Sequence, residues 1–319
     1  MFQRIIVTLD GSSSSEAALP AAEELAHRLG SSLVLLHVIE SRPPKAVHGE
    51  HHIATSAEAE GYLAPVVVRL TAAGLRASSH VHDSGARENA DSRGVAASVA
   101  AHEAEFGNDL AVMAAHGKHG LTEALSGSLP LKVAASGAAA VLLVPQPLSA
   151  AARGAGGAGT AVQGAVAFSP RRLLVPLDGR SEHEAALPAA VALAKAFGLS
   201  MHLLAVVPRN AGDSGGPGIA FARLAPAMSS ASLEYAAEGE ERYLAGVAAR
   251  MAAQGVTADW RVLRGRPAKA IVAAAQEGDL LVLSTHRKLG IDASLDGCVA
   301  FGVARLWRGA MIIVPVPRE

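Results

Sequence analysis

Short apolar runs recur along the chain, separated by longer Ala- and Glu-rich stretches. In the first half the runs cover residues 4–9, 33–39, 78–82, 110–114 and 141–144; in the second they cover 172–177, 201–207, 259–263, 280–283 and 311–314. They are apolar at consecutive positions, not alternate ones, as parallel strands covered by helices on both faces require. Between them, helices are expected over 14–29, ended by Gly30, and 57–73, ended by Gly74. Their counterparts are 182–197 before Gly198 and 232–253 before Gln254-Gly255. Strand, helix and strand in repetition predict an α/β fold with a doubly wound, five-stranded parallel sheet in each half.

The halves are copies. Arg4-Ile5-Ile6-Val7-Thr8-Leu9-Asp10-Gly11-Ser12 returns as Arg172-Leu173-Leu174-Val175-Pro176-Leu177-Asp178-Gly179-Arg180, and Glu16-Ala17-Ala18-Leu19-Pro20 as Glu184-Ala185-Ala186-Leu187-Pro188. A chain of 319 residues holds two such domains of about 150 residues. Residues 148–169, with an Ala-Ala-Arg-Gly-Ala-Gly-Gly-Ala-Gly centre, lack periodicity and read as a flexible linker between domains at 1–147 and 170–319. Random-coil scaling gives it a mean span of about 26 Å. Irregular stretches at 41–56 and 208–230 follow the second strand of each copy, where loops of this architecture border the ligand crevice.

Composition narrows the partner. Aromatics are 3% of residues, poor material for base stacking, and 28 basic against 29 acidic residues leave a net charge of -1. No field is available to hold nucleic acid or an anionic membrane, so a small molecule or another protein is expected. Cys298 is the only cysteine, the N-terminus lacks a signal-peptide layout, and no apolar run reaches the roughly 20 residues of a membrane helix. The expectation is a soluble, cytoplasmic protein.

Asp10-Gly11-Ser12 after the first run, Leu35-Leu36-His37-Val38-Ile39 as the second, and Val112-Met113-Ala114-Ala115-His116-Gly117 followed by Gly127-Ser128 resemble a universal stress protein of the tandem, two-domain type. Nucleotide-binding members of that family carry Gly, two residues, Gly, nine residues, Gly and Ser or Thr. That pattern falls on Ala114, Gly117, Gly127 and Ser128, with alanine in place of the first glycine. The resemblance implies ATP, alone or with Mg²⁺, at Thr8, Leu9, Asp10, Val38, Ala114, His116, Gly117, Gly127, Ser128 and Leu129. It puts the first and fourth strands side by side, Asp10 toward adenine and ribose, and the Val38 backbone against adenine. The chemistry agrees: Gly117 allows close backbone approach to a phosphate, and Gly127-Ser128 would open a helix whose N–H groups and positive end favour an anion. The plainer reading makes the glycines turns and Asp10 a helix-capping carboxylate.

In the second copy the candidate residues are Asp178, Val206, Arg287, Gly297 and Cys298. Arginine in place of the middle glycine costs on the order of 1 kcal/mol where φ is positive and adds bulk at the phosphate. An impaired or repurposed second site is expected, unless Arg287 turns inward onto a phosphate. Cys298, at a helix start, is read as a small buried residue before a reactive thiol.

Gly212-Asp213-Ser214-Gly215-Gly216-Pro217 matches the nucleophile string of trypsin-like proteases, but a Gly-rich loop of an α/β repeat is the wrong setting. Ten of 13 histidines lie in the first copy, including His48, His51 and His52 in one loop and His80 and His82 on one strand face; without characteristic ligand spacing they are read as solvated, with no metal expected. Residues 234–242 are a solvated helix face. The functional expectation is an ATP-binding stress sensor or regulatory module with no catalytic residue. A slow ATPase or phosphotransferase and a ligand-free scaffold stay open. The last runs, 141–145 and 311–315, are apolar edge candidates expected to pair the domains as an intrachain pseudo-dimer, with a homodimer also open.

Overall fold

The computed structural model describes residues 1–40, 46–47, 50–51, 53–83, 92–107, 109–115, 129–145, 168–209, 230–286 and 298–317. The chain divides into two compact units, Met1–Ser169 and Pro170–Glu319.

Unit 1 contains β1 (Arg4–Thr8), α1 (Ser13–Glu16), α2 (Leu19–Leu29), β2 (Ser32–Ile39), β3 (Ala46–Val47), β4 (Glu50–His51), α3 (Ser56–Ala72), β5 (Arg76–Asp83), α4 (Ser92–Phe106), β6 (Leu110–Ala115), α5 (Leu129–Ser136) and β7 (Ala140–Pro145). Five strands form its parallel sheet in the order β7-β6-β1-β2-β5, and β3 and β4 form a separate antiparallel pair. Unit 2 contains β8 (Arg172–Pro176), a 3₁₀ turn (Ser181–Ala185), α6 (Ala186–Phe197), β9 (Met201–Val207), α7 (Ser230–Ala253), β10 (Ala258–Arg264), α8 (Pro267–Ala274), β11 (Asp279–Thr285), α9 (Val299–Leu306) and β12 (Met311–Pro315). Its parallel sheet has the equivalent order, β12-β11-β8-β9-β10. The consecutive apolar runs are the strands: Ile5, Ile6, Val7 and Leu173, Leu174, Val175 are wholly buried, because helices flank the sheets.

The copies agree residue by residue. Ile5 pairs with Leu110 as Leu173 pairs with Leu280, and Leu33 lies beside Ile5 as Met201 lies beside Leu173. Within each sheet the chain reverses direction of strand addition between the first strand and the fourth, so a crevice opens beyond their carboxyl ends.

Three differences from the sequence reading have local causes. The helix expected over 14–29 is two helices, because Pro20 lacks the N–H needed to continue α1 into α2. The one expected over 182–197 begins as a 3₁₀ turn ahead of Pro188. Helices α4 and α8 were not expected, and α5 and α9 were expected only from their starts, at Gly127-Ser128 and Cys298; all four are short or Ala-rich. No helix among the described residues is long and apolar enough to cross a membrane.

Candidate functional site

The crevice of unit 1 is built on the turn that leaves β1. Leu9 is buried, and its backbone N–H donates to the Leu36 carbonyl while its own carbonyl accepts from His37 Nδ1 at 2.8 Å. His37 is therefore a buried strut tying β2 to the start of the turn. Gly11 follows with φ +85°, a left-handed conformation, and a Cβ there would lie 2.5 Å from Ile53 Cδ1. Only glycine serves both the φ and that contact.

Asp10 Oδ1 accepts from the Ser12 N–H at 2.9 Å and from Ser12 Oγ at 2.5 Å. Ser12 Oγ then accepts from the Ser15 N–H at 3.1 Å, capping α1, and Ser15 Oγ accepts from the Asp10 N–H at 3.2 Å. One carboxylate oxygen thus fixes the turn as an Asx motif, and the Asp10 side chain stays half-buried at the strand end. Thr8 and Val38 are half-buried beside it on β1 and β2. Ala114 is buried in β6, which pairs with β1. Leu129 opens α5. His116, Gly117, Gly127 and Ser128 lie outside the described residues, as do His48, His52 and the Gly212–Pro217 string.

Unit 2 keeps the frame and changes the chemistry. Gly179 again has positive φ, +75°, but the Glu240 carboxylate of α7 approaches it where Ile53 packs in unit 1. His183 replaces Ser15. Its Nδ1 lies 2.6 Å from Asp178 Oδ1 and its Nε2 lies 2.5 Å from His286 Nε2, at the end of β11. Glu182 Oε1 is 3.7 Å from that His286 nitrogen. Burial, then the neighbouring Asp178, raises the Glu240 carboxyl above the ordinary carboxylate range. Val206 is half-buried on β9, matching Val38. Cys298 is the N-cap residue of α9, half-buried, with its Sγ 3.4 Å from Thr285 Oγ1. Arg287 and Gly297 lie outside the described residues.

His183 and Glu240 were missed from sequence. The first had a visible sign, a histidine among the three changes, at Arg180, Glu182 and His183, in a segment otherwise copied from 10–22. The second, expected on a solvated helix face, instead packs half-buried toward Gly179 from a helix distant in sequence. The universal stress protein family model matches residues 1–145 and again 170–315. The chain belongs to that family. Among solved structures, a universal stress protein from Archaeoglobus fulgidus DSM 4304 is 16% identical with a TM-score of 0.61, covering 98% of this chain and 96% of that one. A putative universal stress protein from Pseudomonas aeruginosa UCBPP-PA14 is 15% identical with a TM-score of 0.62, covering 98% and 93%. The functionally unknown protein PA1789 of P. aeruginosa PAO1 is 14% identical with a TM-score of 0.62, covering 99% and 93%. These likenesses establish the fold of a tandem universal stress protein. A search of curated proteins finds no match.

Proposed function

We propose that this universal stress protein binds ATP in unit 1 and acts as a nucleotide-responsive regulatory module, with unit 2 rebuilt for another purpose. The contrast between the two crevices carries the reading. At the turn after β1, unit 1 presents the Asp10 carboxylate, already turned toward the Ser12 hydroxyl and N–H, together with apolar Ile53. That lining fits a nucleoside, whose ribose hydroxyls donate to a carboxylate. Unit 2 gathers Asp178, Glu182 and Glu240 at the equivalent place, an arrangement that repels a polyphosphate.

The glycine and serine spacing supports the same assignment. Gly117, Gly127 and Ser128 are the phosphate-binding candidates in unit 1, with Ala114 in the first glycine position; Arg287 and Cys298 stand in the weaker copy. Mg²⁺, where present, would accompany the phosphates and offset their charge. Mass spectrometry of the purified full chain tests the reading: an adenine nucleotide co-eluting at up to one per chain is expected. Absence of bound nucleotide together with no uptake of added ATP would refute it. Release of labelled phosphate by the same preparation would move the protein from sensor to ATPase.

A further inference from the structure

Three histidines of unit 1 converge at the edge strand of the sheet, where His82 lies beside Val38 in register. His80 and His82 project from one face of β5, and His102 from α4 meets them, with one ring nitrogen from each lying within 4.8 Å of the others. His80 Nε2 and His102 Nε2 are 3.0 Å apart, and the His82 and His102 ring centroids are 4.6 Å apart. His102 is 4% exposed, and His80 and His82 are half-buried.

We propose that His80, His82 and His102 form a Zn²⁺ site that clamps α4 to β5, with Glu105 closing the coordination.

Ligand orientation favours this. His102 Nδ1 faces the Ser98 carbonyl at 2.6 Å, and a carbonyl cannot donate, so Nδ1 carries the proton and Nε2 presents its lone pair to the cluster. A backbone carbonyl holding the outer nitrogen is how metal-binding histidines are oriented. Two nitrogens bound tetrahedrally at about 2.0–2.1 Å from Zn²⁺ stand roughly 3.3 Å apart, so the 3.0 Å pair needs only a small opening. Glu105 lies one turn along α4, its Oε2 3.8 Å from His102 Nε2 and its side chain exposed enough to swing inward. Burial and the facing His102 and His82 rings lower the His80 pKa, against a smaller opposing effect of Glu105, which keeps the imidazole in its metal-binding neutral form. Imidazole with one carboxylate suits Zn²⁺ in preference to Mg²⁺ or Ca²⁺.

The cluster belongs to unit 1 alone. Its strand counterparts in unit 2 are Arg261 and Leu263, and α8 spans 8 residues where α4 spans 15. A second group, Glu182, His183 and His286, sits in the unit 2 crevice, so the measurement must separate the two.

Untagged full-length protein, stripped with chelator, is titrated with Zn²⁺, and with Co²⁺ as the spectroscopic probe. The wild type is expected to bind Zn²⁺ and to give the intense visible bands of tetrahedral Co²⁺. The double variant His80→Gln/His82→Gln, checked for its fold by circular dichroism, is expected to lose those bands and to weaken Zn²⁺ binding at this site by at least about tenfold, the least that disrupting a metal site's supporting shell costs. His286→Ala should keep both. Should the double variant misfold, Zn²⁺ protection of wild-type His80, His82 and His102 against diethylpyrocarbonate, mapped by peptide mass, gives the answer. Unchanged Zn²⁺ affinity in a folded double variant, or unchanged labelling of these three residues with Zn²⁺, overturns the proposal.

Discussion

The Tyr62 hydroxyl donates to Glu16 Oε1 at 2.9 Å, and the same contact recurs in the other unit, where Tyr243 donates to Glu184 Oε1 at 3.0 Å. Each bond ties the helix that follows the first strand to the long helix that follows the second. In both units burial is the largest cause raising the tyrosine pKa, followed by its carboxylate partner, so the phenol stays protonated and the donor is permanent.

The copies differ in reserve. Glu184 also accepts from Arg250 at 2.8 Å, whereas among the described residues Tyr62 is the donor to Glu16. Tyr62→Phe should therefore cost about 1–2 kcal/mol, the cost of leaving a half-buried carboxylate unsatisfied, and Tyr243→Phe about half of that. Urea denaturation of each variant checks the ranking; equal losses would contradict it.

Glu240 is a second measurable asymmetry. Its carboxyl pKa is raised, so at neutral pH the folded state carries an ionised group that burial and Asp178 disfavour. Glu240→Gln should stabilise the protein at pH 7, by less than about 1 kcal/mol given solvent screening. The sign follows from linkage: the gain is full above the raised folded pKa, shrinks as pH falls from there toward the ordinary carboxylate value of about 4.3, and is absent below it. Thermal melts across that range check it.

His80 gives the opposite dependence. Its folded pKa lies below the unfolded value near 6.5, so the unfolded chain takes up the proton first and stability falls as pH drops through about 6.5. The groups facing it are His82, His102 and Glu105. In metal-free protein, His80→Gln should flatten the stability profile between about pH 7 and pH 5, measured by denaturant midpoint.

The inner strands were legible because each is a consecutive apolar run, unlike the largely polar edge strands β5 and β10, and the repeat was legible because Asp-Gly with a left-handed glycine tolerates little change; Gly11 and Gly179 keep positive φ in both units. The weak helices were not. In α4, alanines at most apolar positions leave little periodic contrast, although Val99 and His102 are buried. The crevice was legible where one segment builds it, as at Asp10, and illegible where segments converge. Glu240 meets Gly179 only after α7 packs, and His102 meets His80 and His82 only after α4 does, so spacing along the chain held no sign of either encounter.

The central claim is that ATP is held by unit 1. The deciding measurement is titration calorimetry of ATP into the nucleotide-free full chain, comparing wild type with Gly117→Arg and Asp178→Ala. Gly117→Arg imposes on unit 1 the residue found in the second copy and should weaken ATP by about fivefold, from roughly 1 kcal/mol for the one lost backbone contribution. Asp178→Ala should leave the tight site unchanged. Unaltered binding in Gly117→Arg, or loss of the tight site in Asp178→Ala, would contradict the assignment of ATP to unit 1.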